Sequence, residues 1–241
     1  MNGQKQSGSL FLQGMKASIP IATGYFAVSA AYGMAAIIQG MTVTEAAITS
    51  LTNLTSAGQF AGTTLICVGA SFAELILTQV IINCRYLLMG ISLAQKTEPH
   101  TPLWKRMIMA FGITDEIFAV AVSEKGKIRF PWFLGLMIPP IIGWTSGTIL
   151  GGLASSFLPA DVVNALGLAM YGMFIAIFVP AARKEKSVCL CVLLSIALSC
   201  LFAWTPGLRE LSSGYVIVLI TILVSAFMAW KFPRDEEEDH A

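Results

Sequence analysis

From residue 17 to residue 230 the chain is a string of apolar segments with very little charge inside them. A bilayer crossing takes about 20 mostly apolar residues. Eight segments approach or reach that length: 17–38, 46–70, 73–94, 107–123, 131–154, 162–182, 187–204 and 212–230. In lipid every backbone N–H and C=O must be bonded within the chain, so spans of this kind are helices. Only 12% of the 241 residues are charged and 56% are apolar, against about 25% charged in a soluble domain. Soluble globular, disordered, collagen-like and coiled-coil classes are excluded. The expected fold class is all-α: a polytopic helical bundle of about eight transmembrane segments with one or more broken helices. Residues 1–16 read as a cytoplasmic N-terminal segment, 17–230 as a single transmembrane domain, and 231–241 as an acidic cytoplasmic tail.

The remaining composition narrows function. A formal net charge of +1 gives no electrostatic case for nucleic acid. Cys67, Cys84, Cys189, Cys191 and Cys200 lie inside apolar runs and read as small buried side chains. Cys189 and Cys191, two apart, point about 200° away from each other on a helix, which disfavours a joint metal site. The histidines are His100 and His240, both outside the apolar segments. Metal or Ser-His chemistry has little to build with, so neither an enzyme nor a cofactor is expected. No G-x-x-x-x-G-K-[ST] run is present, so an ion or substrate gradient is the expected energy source. Lys5 and Lys16 precede the first apolar run and no A-x-A-like site follows it, so it reads as a retained helix rather than a signal peptide.

Orientation follows the basic residues of short loops. Lys125, Lys127 and Arg129 follow segment four, Arg183, Lys184 and Lys186 follow segment six, and Lys231 and Arg234 end segment eight. Loops 39–45 and 155–161 hold no basic residue, and 205–211 holds Arg209 alone. Eight crossings with both termini cytoplasmic fit all of these. One loop does not fit: Lys96, Lys105 and Arg106 in 95–106 fall outside on that map. Segment four, the shortest, either enters and leaves by the same side or is a broken helix, and eight crossings with segment four irregular is the preferred reading. The similarity of Ala31-Tyr32-Gly33-Met34 to Ala110-Phe111-Gly112-Ile113 leaves an inverted repeat open.

Polar groups inside a membrane are expensive and therefore informative. Thr52, Ser56, Gln59 and Thr63 share one helical face by steps of three and four, as do Ser18, Tyr25, Ser29 and Tyr32. Such stripes either bond helices together or line a cavity. In segment three Glu74, Thr78, Arg85 and Ser92 share a face, and Gln79, Asn83, Tyr86 and Gly90 share another. Arg85, near mid-span, keeps its proton and needs acceptors. Glu74 is about 16 Å away along a helix. That leaves Asp115 and Glu116 of segment four, predicting a buried cluster of Arg85 with one of them. The other carboxyl is then free to exchange protons. Gly58-x-x-x-Gly62 and Gly143-x-x-x-Gly147-x-x-x-Gly151 predict close helix contacts, within the chain or with a partner. Pro20 suits a helix start, whereas Pro139-Pro140 predicts a kink or break in segment five.

Four stretches carry a family resemblance: Pro20 to Tyr25 through Tyr32-Gly33, Ser56 to Phe60, Asn83-Cys-Arg85-Tyr86 through Gly90, and Gly112-Ile-Thr114-Asp115-Glu116-Ile-Phe118. The chain resembles the AzlC-type branched-chain amino acid permeases. It departs from their pattern at Tyr86, where His is common, and at Met89, where Tyr is common. The resemblance implies a secondary carrier exporting valine, leucine, isoleucine and analogues across a bacterial inner membrane with a small AzlD-type membrane subunit. Substrate-binding or coupling residues are then expected among Tyr25, Ser56, Gln59, Asn83, Arg85, Tyr86, Thr114, Asp115 and Glu116. A channel or a non-transporting membrane subunit is the alternative.

Overall fold

A computed structural model describes residues 2–232 apart from 156, 158–174, 176–178 and 181. Segment 162–182 and the acidic tail therefore lie largely outside the described residues. Among those described the structure is helical, and the chain is a polytopic helical membrane protein. The helices are α1 Asn2–Ile38, α2 Val43–Thr52, α3 Ala57–Cys67, α4 Phe72–Asn83, α5 Arg85–Lys96, α6 Leu103–Phe111, α7 Asp115–Ser123, α8 Phe130–Ala154, α9 Lys186–Trp204 and α10 Ser213–Lys231. Four of these, α1, α8, α9 and α10, are long and apolar enough to span singly. The chain packs as two compact units: 1–63 with 83–170, and 64–82 with 171–241.

The first unit is organised by α1 against α8. Lipid tails are as apolar as the side chains, so helices associate by close packing rather than by hydrophobic driving force. A β-carbon at Gly135, Gly143, Gly147 or Gly151 would run into the carbonyls of Phe11, Ala22, Phe26 and Ala30 in turn. From α1 the same is true of Gly14 against Trp132 and Gly33 against Thr148. Matched numbers rise together on both helices, so α1 and α8 run parallel with backbones in contact. The Gly143–Gly151 stripe thus packs within this chain. Two proline expectations fail. Pro20 lies deep inside α1, which already starts at Asn2, so residues 2–16 are its first turns. Pro139 and Pro140 sit within a continuous α8. Each removes one ladder bond, and α1 packed along its length holds the helix together.

The breaks fall instead in segments two, three and four, each of which is a pair of short helices. Between α2 and α3 the Asn53 side chain accepts from the Thr55 amide at 3.1 Å and its hydroxyl at 2.6 Å. Such local bonds compete with the helix ladder, and Ser56 follows at φ 49°. A single residue, Cys84, separates α4 from α5. Between α6 and α7, Gly112 is buried so tightly that a β-carbon would meet Met137. Thr114 then restarts the chain, its hydroxyl oxygen accepting from the Ile117 amide at 3.3 Å.

These breaks reverse direction in two places. The residues flanking α6–α7 meet: Ile128 donates to Lys96 O at 2.9 Å, Glu98 donates to Ile128 O at 3.0 Å, and Lys127 donates to Gln95 O at 2.8 Å. Trp104, at the start of α6, lies 5.7 Å from Phe130, at the start of α8. Segment four therefore folds back so that its two ends lie side by side, the geometry of the same-side reading rather than of a straight crossing. The basic residues of 95–106 and 125–129 are brought to the same end of the hairpin. Segment two doubles back as well. Val43 lies beside Gly152 near the far end of α8, and Ser50 reaches Thr148. Gln59, past the break, bonds Trp144, and Thr63 has returned to Tyr32 near the far end of α1. Thr52, Ser56, Gln59 and Thr63 therefore do not share one continuous helical face.

Two caps finish the frame. At α2, Thr42 donates its amide and hydroxyl to Glu45 at 2.7 and 2.8 Å, and accepts from the Glu45 amide at 3.2 Å. The Thr42 backbone bond, then its hydroxyl, hold the Glu45 carboxyl below its ordinary range. The stability this gives is present above the unfolded carboxyl's range and is lost as pH falls through the lowered value. In the second unit, Glu74 of α4 caps α10: its carboxylate accepts from the Ser212 hydroxyl and from the Gly214 amide at 3.0 Å.

Cysteines introduced by Thr101→Cys and Lys125→Cys are expected to react with an impermeant maleimide from the same side of the membrane, and Met41→Cys from the other. Opposite-side labelling of the first two excludes the hairpin. Gly147→Ala forces two backbones apart and is expected to cost about 1–3 kcal/mol, read as a lower melting temperature in detergent. Gly24→Ala, with open space at its β-carbon, leaves it unchanged or raises it.

Candidate functional site

The hairpin tips and the start of α5 come together in the first unit. The Arg85 guanidinium pairs with Asp115 Oδ2 at 3.0 Å and stacks 5.2 Å from the Tyr86 ring centre. The two ion-paired side chains are 46% and 48% exposed, so the expected buried cluster is instead a half-open one. Exposure also lowers what the pair contributes to stability. Glu116, the next residue, turns the other way. Tyr25 of α1 lies 2.5 Å from Glu116 Oε2 and 2.7 Å from Thr114 Oγ1, and its single proton serves one at a time. Asp115 and Glu116 both sit in the first turn of α7, where the helix dipole favours negative charge.

A second cluster is sealed. The Trp144 indole donates to Gln59 Oε1 at 2.8 Å, and Gln59 Nε2 donates to Ser50 Oγ at 2.7 Å. With the Thr148 hydroxyl donating to the Trp144 carbonyl at 3.0 Å, Ser50 is the donor to Thr148 at 2.6 Å. Gln59 is 1% exposed, Ser50 and Thr148 fully buried. Tyr25 touches this cluster through an edge-on contact with Trp144, ring centres 5.3 Å apart. Tyr32 bonds Thr63 at 2.7 Å and meets Phe60 edge-on.

Between the two tips and α5 lies a cavity of about 610 Å³. Its wall is mainly apolar, with Leu54, Leu87, Ile91, Phe111 and Ile113, and its polar edge is Thr52, Asn53, Thr55, Asn83 and Tyr86. Of the residues singled out from sequence, Asn83 and Tyr86 line it. Arg85, Asp115, Glu116, Thr114 and Tyr25 form the ion-paired cluster beside α5. Gln59 belongs to the sealed cluster, and Ser56 is the turn residue of the first tip. Sequence reasoning missed the apolar wall, whose residues look like any lipid-facing ones. It also missed Ser50, Thr148 and Trp144, whose partners come from distant segments.

Broken helices that bring ion-paired and apolar groups together recur in membrane transport proteins. The chain belongs to the AzlC protein family, which matches residues 20–158. It is 29% identical to "Inner membrane protein YgaZ" of Escherichia coli over 234 residues, 94% of each chain. An uncharacterized membrane protein of Archaeoglobus fulgidus is 34% identical over 174 residues, covering 71% of this chain and 76% of that one. "Branched-chain amino acid transport protein AzlC" of Bacillus subtilis is 24% identical over 189 residues, covering 77% and 73%. No solved structure matches the chain.

Gln59→Leu orphans the Trp144 N–H and one Ser50 bond. Each stranded buried group costs about 1–3 kcal/mol, so a clear drop in melting temperature in detergent is expected. Ser56→Gly, which relieves the positive φ, is expected to leave it unchanged or raise it.

Proposed function

We propose that this protein is a secondary carrier that exports branched-chain amino acids across the bacterial inner membrane, coupled to protons and working with a small AzlD-type membrane subunit. The observation that supports it most is a half-open ion pair beside an apolar cavity at the junction of broken helices, in a chain of the AzlC family. A zwitterion needs complementary ends. Its carboxylate suits the Arg85 guanidinium, which offers a planar fork of donors. Its ammonium suits Asp115 or Glu116. Its branched side chain suits the wall of Leu87, Ile91, Phe111 and Ile113. Substrate binding then exchanges partners within the Arg85–Asp115 pair rather than stranding a charge.

Sidedness supports the same reading. With segments two and four folded back, residues 95–106 and 125–129 fall on one side, and their Lys96, Lys105, Arg106, Lys125, Lys127 and Arg129 make that side the cytoplasmic one.

The test is counterflow of labelled valine in vesicles holding this chain alone and then with its small subunit. Saturable exchange opposed by excess leucine is expected. Arg85→Ala is expected to weaken apparent affinity at least about tenfold, since a charged hydrogen bond is worth about 1.5–3 kcal/mol. Flux that rises linearly with concentration makes the protein a channel instead, and no flux in either vesicle removes the carrier reading.

A further inference from the structure

We propose that Glu116, not Asp115, carries the exchangeable proton, and that Tyr25 and Trp144 relay its charge state to Gln59 on the opposite hairpin. This deepens the carrier reading and rests on it for the need of a coupling proton. The two carboxylates are neighbours in sequence and differ in what they face. Asp115 is held by Arg85 at 3.0 Å, so protonating it leaves a guanidinium without its counter-charge. Glu116 meets a neutral donor, the Tyr25 hydroxyl at 2.5 Å, and among the described residues no cation pairs with it. Its loss of charge strands nothing. The ionisable groups around it are Tyr25 from α1, Arg85 and Tyr86 from α5, and Asp115 on its own helix. From α8 the nearby side chain is Trp144, which does not titrate.

The proton has a defined effect. With Glu116 ionised, Tyr25 O–H donates to Oε2. When Glu116 takes a proton from water, its O–H becomes the donor to the Tyr25 oxygen. The tyrosine proton then turns to Thr114 Oγ1, 2.7 Å away, which caps α7. No covalent bond other than O–H changes, and one proton enters from solvent. The charge-assisted bond that pins the phenol is exchanged for a neutral one, which is roughly half as strong. The phenol edge rests on Trp144 at 5.3 Å. Trp144 N–H in turn holds Gln59, which sits just past the tip of the α2–α3 hairpin. Tyr25 and Trp144 are positioning residues: Tyr25 bonds Glu116 and Trp144 bonds Gln59, and together they join one hairpin's charge to the other hairpin's position.

The relay is tested on the full chain in detergent by tryptophan emission as a function of pH, without substrate. The component lost in Trp144→Phe isolates Trp144 from the other four tryptophans. That component is expected to titrate in the parent, to stop titrating in Glu116→Gln and Tyr25→Phe, and to persist in Asp115→Asn. A component that still titrates in Glu116→Gln, or that disappears in Asp115→Asn alone, overturns the assignment. A parent whose Trp144 emission does not change with pH overturns the relay. Ser146→Ala, at a neighbouring α8 hydroxyl outside the relay, checks that loss is not general unfolding: it retains the titrating component. Valine counterflow is measured on the same preparations. A protein that exchanges valine without the titrating component loses the relay and keeps the carrier reading. One that shows the component without exchanging valine keeps the relay and loses the carrier reading.

Discussion

Backbone contact between α1 and α8 is the constraint on which the first unit depends. Glycine after glycine on α8 meets a carbonyl on α1, and the match holds over five turns. That closeness fixes direction as well as distance, since the facing residues rise in number together. It also makes a rigid core from helices that water does not drive together. Once the pair is fixed, Ser50, Gln59 and Thr63 of the first hairpin, and Thr114 and Glu116 of the second, have surfaces to dock on. Every side-chain bond described between a hairpin and the rest of the unit runs to α1, α5 or α8.

The chemistry then follows from where the helices stop. A continuous helix satisfies its own backbone and hides it. A half-helix leaves donors at one end and acceptors at the other, and the membrane tolerates these only against protein or a cavity. Thr114 shows the economy of the arrangement: one hydroxyl caps α7 and also meets the tyrosine that Glu116 binds. The sealed cluster around Gln59 and the half-open pair at Arg85 differ in accessibility: the first is buried between helices, the second is about half exposed.

Much of this was legible from the chain. The eight apolar segments are where the half-helices and spans fall, apart from the one outside the described residues. Arg85 needed an acid, and one of the two predicted candidates supplies it. Direction was not legible, because hydropathy is the same for a segment that crosses and one that doubles back. The signals for reversal are local and small: Asn53-x-Thr55, whose side chains bond each other, and Gly112 two residues before a capping threonine. Pro20 and Pro139-Pro140 were stronger breakers on paper and broke nothing, since packing along α1 and α8 outweighs two or three missing amides. The basic loop 95–106 was the one misfit on the sequence map, and it lies beside the segment whose two ends meet.

The re-entrant hairpins have one more consequence, for how a fold like this can change. A crossing that is gained or lost turns everything after it inside out. A segment that returns to the face it came from leaves the sidedness of the rest untouched. Because α1 and α8 run parallel, an odd number of crossings has to separate them, however the hairpins between them are built. The α2–α3 and α6–α7 hairpins can therefore change in length without reversing the direction of the paired core.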